Sequence, residues 1–211
     1  MHLHQYDIRQ LDRRYRATLI NSLAGVRPAV MVGTRSVEGR SNLAIFNSIV
    51  HIGADPAMYG LLFRPDTVRR DTLTNILETG QYTFNYIHSD LYRQAHATSA
   101  KFGPEESEFD ACGFKAVYHD GFPAPFVNGA IASFGLKMET RIDIALNGTI
   151  MIIGSIMQLH ASDELVTVDG FFNHAKANVL TVAGLDAYFR PELLGRLSYA
   201  RPGEPLTDLP V

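Results

Sequence analysis

The chain has 211 residues, 46% of them apolar and 19% charged, with a formal net charge of −3. That size and composition suit one globular domain with a sizeable core, and the lack of a clustered basic run argues against a nucleic-acid partner, because phosphate neutralisation needs grouped Lys and Arg. Cys112, the sole cysteine, excludes an internal disulfide; with no signal-peptide pattern and no stretch near the ~18 apolar residues of a spanning helix, the expectation is a cytoplasmic protein without a membrane partner.

Residues 1–27 read as polar and irregular, with a short helix around Arg13–Leu23 and disordered terminal histidines at His2 and His4. Pro28–Thr34 is a short apolar run of β-formers and reads as a buried strand. Glu38-Gly39-Arg40 marks a hairpin turn, and the chain returns as a second strand over Asn42–Ile52. Asp55-Pro56 is a turn signal before a third strand at Ala57–Phe63.

Arg70–Thr79 is the clearest helix. Asp71 or Thr72 is placed to cap it, Leu73, Ile76 and Leu77 share a face, and Gly80 follows its end. Gln81–Ile87 alternates as a strand, Ser89–Thr98 reads as a second helix, and Pro104–Cys112 reads as an acidic loop with a helical turn. Phe114–Tyr118 is a short strand. Ala130–Leu146 and Thr149–His160 are the longest β-like runs, joined by Asn147-Gly148, a strong hairpin signal. Val166–Val168 reads as one more strand and His174–Leu180 as a short helix before a Pro-containing tail. Six to eight strands in adjacent hairpins favour a mainly β, antiparallel barrel with short helices over a doubly wound sheet. No Gly-x-Gly-x-x-Gly follows a strand, so the dinucleotide fingerprint is absent.

Three segments carry candidate chemistry. Thr34 to Ser48 places small polar residues among apolar ones: Ala44 permits close approach of a planar cofactor, and Asn42, Asn47 and Ser48 offer donors and acceptors; on periodicity alone, a plain edge strand with polar residues facing water is the favoured reading. Arg69-Arg70-Asp71-Thr72 puts two cations before a helix start, where free N–H groups and the macrodipole favour an anion; a solvated charge run with an ordinary cap is the other reading. In Ser99–Gly113, Lys101 offers a third cation, while Glu108 and Asp110 read as structural. The histidines are scattered without metal-ligand spacing, and no serine sits in a nucleophile elbow. With no protein-borne catalyst in view, the chemistry is expected to belong to a bound cofactor.

These segments together resemble the flavin reductase-like family with an FMN-binding split barrel. The likeness is carried by Ser41-Asn42-Leu43-Ala44-Ile45-Phe46-Asn47-Ser48, by Ala54-Asp55-Pro56, by Arg70-Asp71-Thr72-Leu73-Thr74-Asn75-Ile76 with Glu78-Thr79-Gly80 and Phe84-Asn85, and by Ser107-Glu108-Phe109 with Cys112-Gly113. Weaker likeness runs through Ile152-Ile153-Gly154, Asp169-Gly170 and Gly184-Leu185-Asp186-Ala187-Tyr188 to Tyr199-Ala200-Arg201-Pro202. The resemblance implies one domain over 1–211, with its core at about 20–202, forming a six-stranded split barrel that dimerises with FMN near the subunit interface. It further implies that Thr34, Asn42, Ala44, Phe46, Asn47 and Ser48 surround the flavin ring and ribityl chain, and that Arg69, Asp71 and Thr72 surround the phosphate. Ser99 and Lys101 are implied on the next loop, with Phe171 or Phe172, of this subunit or its partner, over the ring. The implied activity is an NADH- or NADPH-dependent flavin reductase, a flavin carrier without its own nucleotide reaction being the alternative. Where many members carry Gly-Asp-His and Ile-Gly-Glu, this chain has Asn147-Gly148-Thr149 and Gly154-Ser155.

Overall fold

In the computed structural model, which describes residues 1–103 and 105–211, the sequence pattern resolves into short helices around one large sheet. In chain order these are α1 (Gln5–Gln10), α2 (Arg13–Leu23), β1 (Arg27–Pro28), β2 (Val30–Arg35), β3 (Ser41–Phe46), β4 (Ile49–Ala54), β5 (Ala57–Phe63), α3 (Asp71–Thr79), β6 (Gln81–Tyr86), α4 (Tyr92–Ala97), α5 (Glu108–Ala111), β7 (Ala116–Val117), β8 (Phe126–Val127), β9 (Ala132–Ile144), β10 (Thr149–Ala161), β11 (Thr181–Ala183) and β12 (Ala187–Phe189). The large sheet runs β3-β2-β6-β9-β10-β5-β4, and every pairing in it is antiparallel.

The two outermost strands, β3 and β4, are separated only by Asn47 and Ser48. The sheet therefore closes on itself through one interrupted strand, and seven segments make six chain passes. The expected strand Asn42–Ile52 is not continuous: it pairs with β2 as far as Phe46 and with β5 from Ile49 onward. At the break the Leu62 N–H donates to the Ser48 carbonyl (2.9 Å), so the ladder resumes on the other neighbour. This gap splits the barrel and leaves Asn47 and Ser48 facing neither ladder in full.

Period-two alternation fills the interior. Tyr82, Phe84 and Tyr86 of β6 meet Val30 and Val32 of β2, Leu61 and Phe63 of β5, and Phe134 and Leu136 of β9 in one core. Leu73 and Ile76 of α3 join it, and burying each such side chain stabilises by about 2 kcal/mol. The buried face of α3 is Thr72, Leu73, Asn75 and Ile76. Leu77, expected on that face, lies a further 100° round the helix and is 40% exposed. A second core outside the barrel packs Met31, Leu43 and Ile87 against Phe109, Phe114, Leu180 and Val182.

Because β6 is covered on both faces, its polar residues must be satisfied internally. Asn85 is fully buried; its Nδ2 donates to the Met31 carbonyl (3.0 Å) and Thr83 Oγ1 (2.9 Å), and its Oδ1 accepts from the Val127 N–H (3.0 Å). Asn85→Leu is expected to cost about 3 kcal/mol, since it strands a buried amide and a buried carbonyl; a denaturant midpoint equal to wild type would refute this.

Several local expectations differ from the structure. The N-terminus is helical over Gln5–Gln10, with the His4 N–H held by Asp7 Oδ2 (2.9 Å). Val166–Val168 is not a strand: Val166 makes an isolated bridge to Phe172, and Val168 is fully exposed at a turn closed by Thr167. His174–Leu180 is a run of turns, because Asn178 adopts φ +50° and Val179 and Leu180 are drawn out to pair with His88 and Ile87. Pro104, at the start of the expected loop, lies outside the described residues. Among the described residues no helix is long and apolar enough to cross a membrane.

Candidate functional site

A cleft of about 890 Å³ opens where the barrel splits. Its floor is the β3–β4 junction, and four pieces of chain form its walls. Each wall is tied to the floor by a hydrogen bond to β3 or to Asn47. The Thr72 Oγ1 at the start of α3 accepts from Asn42 Nδ2 (3.0 Å). Thr98, just after α4, accepts the Ile45 N–H (3.1 Å). The Glu108 carboxylate at the start of α5 accepts the Leu43 N–H (3.1 Å). Asn47 Nδ2 donates to the Gly184 carbonyl (2.5 Å), fixing the turn between β11 and β12.

Ten of the thirteen expected site residues line this cleft: Asn42, Ala44, Phe46, Asn47 and Ser48 from the floor, Arg69, Asp71 and Thr72 from the helix start, and Ser99 and Lys101 from the loop after α4. Asn42, Ala44 and Phe46 alternate along β3, so one side of the strand faces the opening and the other carries Leu43 into the outer core. Thr34 stands behind the site. It is fully buried, and its Oγ1 accepts from both Asn42 Nδ2 (3.1 Å) and Asn75 Nδ2 (3.0 Å). It thereby holds the orientation of Asn42 instead of facing the cleft.

Phe171 and Phe172 do not reach the cleft of their own chain. Phe172 packs against the barrel core and edge-on to His174 (4.9 Å). Phe171 lies under the Arg196 guanidinium (4.3 Å), which is itself paired to Asp169 (2.5 Å). Both rings are occupied by local packing that the sequence pattern does not reveal.

The helix end has anion-binding character. Arg70 occupies the N-cap position with no side-chain cap, leaving the first-turn N–H groups of α3 without a side-chain acceptor. The Thr72 hydroxyl, 5% exposed, already accepts from Asn42, so its own proton is available to donate. Arg64, Arg69, Arg70 and Lys101 bring positive charge to the cleft. Arg70 is spent on the Pro65 carbonyl (3.0 Å), bracing the loop before the helix, and Arg69 pairs with Asp71 (2.7 Å). Among the described residues, Arg64 and Lys101 have no ion-pair partner.

Glu108, which reads as structural from the sequence, lines the cleft, and so do Arg64, His96 and Tyr188, which no local pattern marks as site residues. Burial pushes the Glu108 carboxyl up, against the lowering effect of the Leu43 N–H. A carboxyl raised in the folded state binds its proton more tightly there than when unfolded, so it costs stability where it is ionised, and that cost is relieved as pH falls through the raised value. Glu108→Gln, which keeps an acceptor for Leu43, is expected to stabilise the fold at neutral pH and to lose that advantage in acid. Melting curves showing the opposite slope would refute this. Among the described residues no three or more His, Cys, Asp or Glu are grouped to hold a metal ion.

Residues 25–177 match the family model of the flavin reductase like domain. The fold is similar to that of a candidate flavin reductase with split barrel domain from Shewanella frigidimarina NCIMB 400, 38% identical, with a TM-score of 0.91 over 95% of this chain and 100% of the other. Similarity in fold alone extends to nitrilotriacetate monooxygenase component B from Bacillus cereus (17% identical, TM-score 0.82, 93% and 98% covered). It also extends to an FMN-binding protein from Thermus thermophilus (19% identical, TM-score 0.67, 81% and 89% covered). The domain match, the antiparallel barrel and its split at Asn47-Ser48 agree, and the chain belongs to the flavin reductase-like domain family.

Proposed function

We propose that the cleft holds FMN and that the chain is an NADH- or NADPH-dependent FMN oxidoreductase, acting as a homodimer in the cytoplasm. The observation that carries this is the arrangement of Asn42 and Thr72: one buried amide lies between the floor strand and the helix start, and it leaves the Thr72 hydroxyl proton free at a helix N-terminus flanked by cations. Those groups suit a phosphate monoester. Ala44, Phe46, Asn47 and Ser48 suit a flat ring and its polyol chain, because a small residue permits close approach and the polar side chains match ring and ribityl oxygens. A cleft of this volume is within the usual range for a cofactor site. Similarity in fold to an FMN-binding protein supports the same reading.

Bound FMN supplies two-electron transfer between a nicotinamide donor and an acceptor. The protein's part is to orient and to set the field. Thr72, Arg69 and Lys101 hold the phosphate end, Asn42 is locked by Thr34, and Thr98 fixes the loop that carries Ser99 against β3.

The absorbance spectrum of purified protein titrated with FMN tests the cofactor; no bound flavin at micromolar FMN sinks the proposal. Anaerobic rapid mixing with NADH and with NADPH tests the donor, and fast bleaching by either is expected. The carrier reading has one observation in its favour. At the tip of the β9–β10 hairpin Asn147 Oδ1 is spent on Thr149 (3.1 Å to its N–H), and further along the same two strands Ser155 donates to Glu139 (2.6 Å). The histidine and glutamate of many relatives are therefore not replaced by free groups there. Absence of bleaching with both nucleotides would select the carrier.

A further inference from the structure

The wall of the cleft built by the turn between β11 and β12 lies beyond the matched residues 25–177. It brings Leu185, Asp186 and Tyr188 to the opening. The Tyr188 hydroxyl is 2.9 Å from His96 Nδ1, and the two rings meet edge-on at 5.7 Å. In either tautomer the pair, both of whose residues line the cleft, keeps one donor that its own hydrogen bond does not use. If the hydroxyl donates to Nδ1, the neutral imidazole carries its proton on Nε2; if Nδ1 donates, the tyrosine O–H is free.

Resting on the FMN reading above, we propose that the Tyr188–His96 pair is a specificity-determining element that hydrogen-bonds the oxygen of a neutral, planar carbonyl compound, of the aryl aldehyde or quinone class, as the electron acceptor. The apolar surfaces of Leu185 and of the tyrosine ring favour a flat ring over a sugar or an amino acid. Charge decides between carbonyl and carboxylate. Asp186 lines the opening two residues before Tyr188, and in the FMN reading Arg69 and Lys101 are taken by the phosphate, so a ligand carboxylate at this wall faces the Asp186 charge while a neutral carbonyl does not.

The test uses FMN-loaded protein and two probes with one ring, 4-methoxybenzaldehyde and 4-methoxybenzoate. Binding is followed by perturbation of the flavin absorbance without any electron donor. Wild type is expected to bind the aldehyde at least about tenfold tighter than the benzoate. Tyr188→Phe should weaken aldehyde binding about five- to tenfold, the loss of one hydrogen bond, with FMN affinity unchanged. Asp186→Asn should raise benzoate affinity and leave the aldehyde alone, which a merely structural role for this wall would not do. Equal binding of the two probes by wild type, or aldehyde binding indifferent to Tyr188→Phe, overturns the inference. If FMN itself fails to bind, the cofactor reading falls; if FMN binds and neither probe does, only this inference falls.

Discussion

Thr72→Val is expected to weaken FMN binding about ten- to hundredfold, because a hydrogen bond to a charged group contributes about 1.5–3 kcal/mol. Valine keeps the branched shape but leaves one Asn42 N–H without its acceptor, so a stability loss of about 1–2 kcal/mol accompanies the change, and melting curves of the FMN-free protein separate it from the lost FMN contact. What is lost is the hydroxyl that Asn42 polarises by donating to it. Arg69→Ala should have the smaller effect. Its guanidinium is about half exposed and shared with Asp71, and an exposed pair contributes only about 0.2–1 kcal/mol. Its contribution should also fade with added salt, whereas that of Thr72 should not. Flavin fluorescence titrations of both variants at low and high ionic strength check the ranking. An affinity for FMN unchanged in Thr72→Val would remove the phosphate from the helix start.

Gly33→Ala is the substitution expected to hurt the fold most. A Cβ built on Gly33 would lie 2.2 Å from the Pro125 carbonyl oxygen and 2.6 Å from Thr83 Oγ1. Those two atoms are already joined by a hydrogen bond of 2.6 Å. The methyl group must displace backbone and break that bond, so the overpacking and the lost bond together should cost about 3 kcal/mol or more. For a chain of this length that lowers the melting temperature by about 6–12 °C. The displaced strand is β2, whose neighbour in the sheet is β3, so FMN affinity should fall along with stability. A melting temperature within a degree or two of wild type would show that the segment carrying Pro125 yields freely.

Parts of this molecule were legible in the residues themselves. Asn147-Gly148 marked the hairpin, and the structure turns there with Gly148 at φ +73°. Gly80 marked the end of α3 and adopts φ +72°. The helix Arg13–Leu23 falls where its pattern put it. These features rest on local conformational preference, which a short window contains. The His174–Leu180 segment misled for the same reason: its composition suits a helix, but pairing to Ile87 and His88 overrides the local preference.

The β-rich antiparallel class, the small polar residues set among apolar ones up to Ser48, and the cationic helix start at Arg69–Thr72 are all legible in short stretches of consecutive residues. The tertiary structure alone decided which groups meet in the cleft. Asn42 reaches Thr72 across 30 residues, Leu43 meets Glu108 across 65, and Asn47 meets Gly184 across 137. No periodicity spans such separations; barrel closure at Asn47-Ser48 brings them together. That closure also assigned Thr34 to support instead of contact, kept Phe171 and Phe172 out of their own chain's cleft, and set Tyr188 beside His96. Burial and charge then give those late arrivals their chemistry, which is a property of the folded neighbourhood and not of the residue types alone.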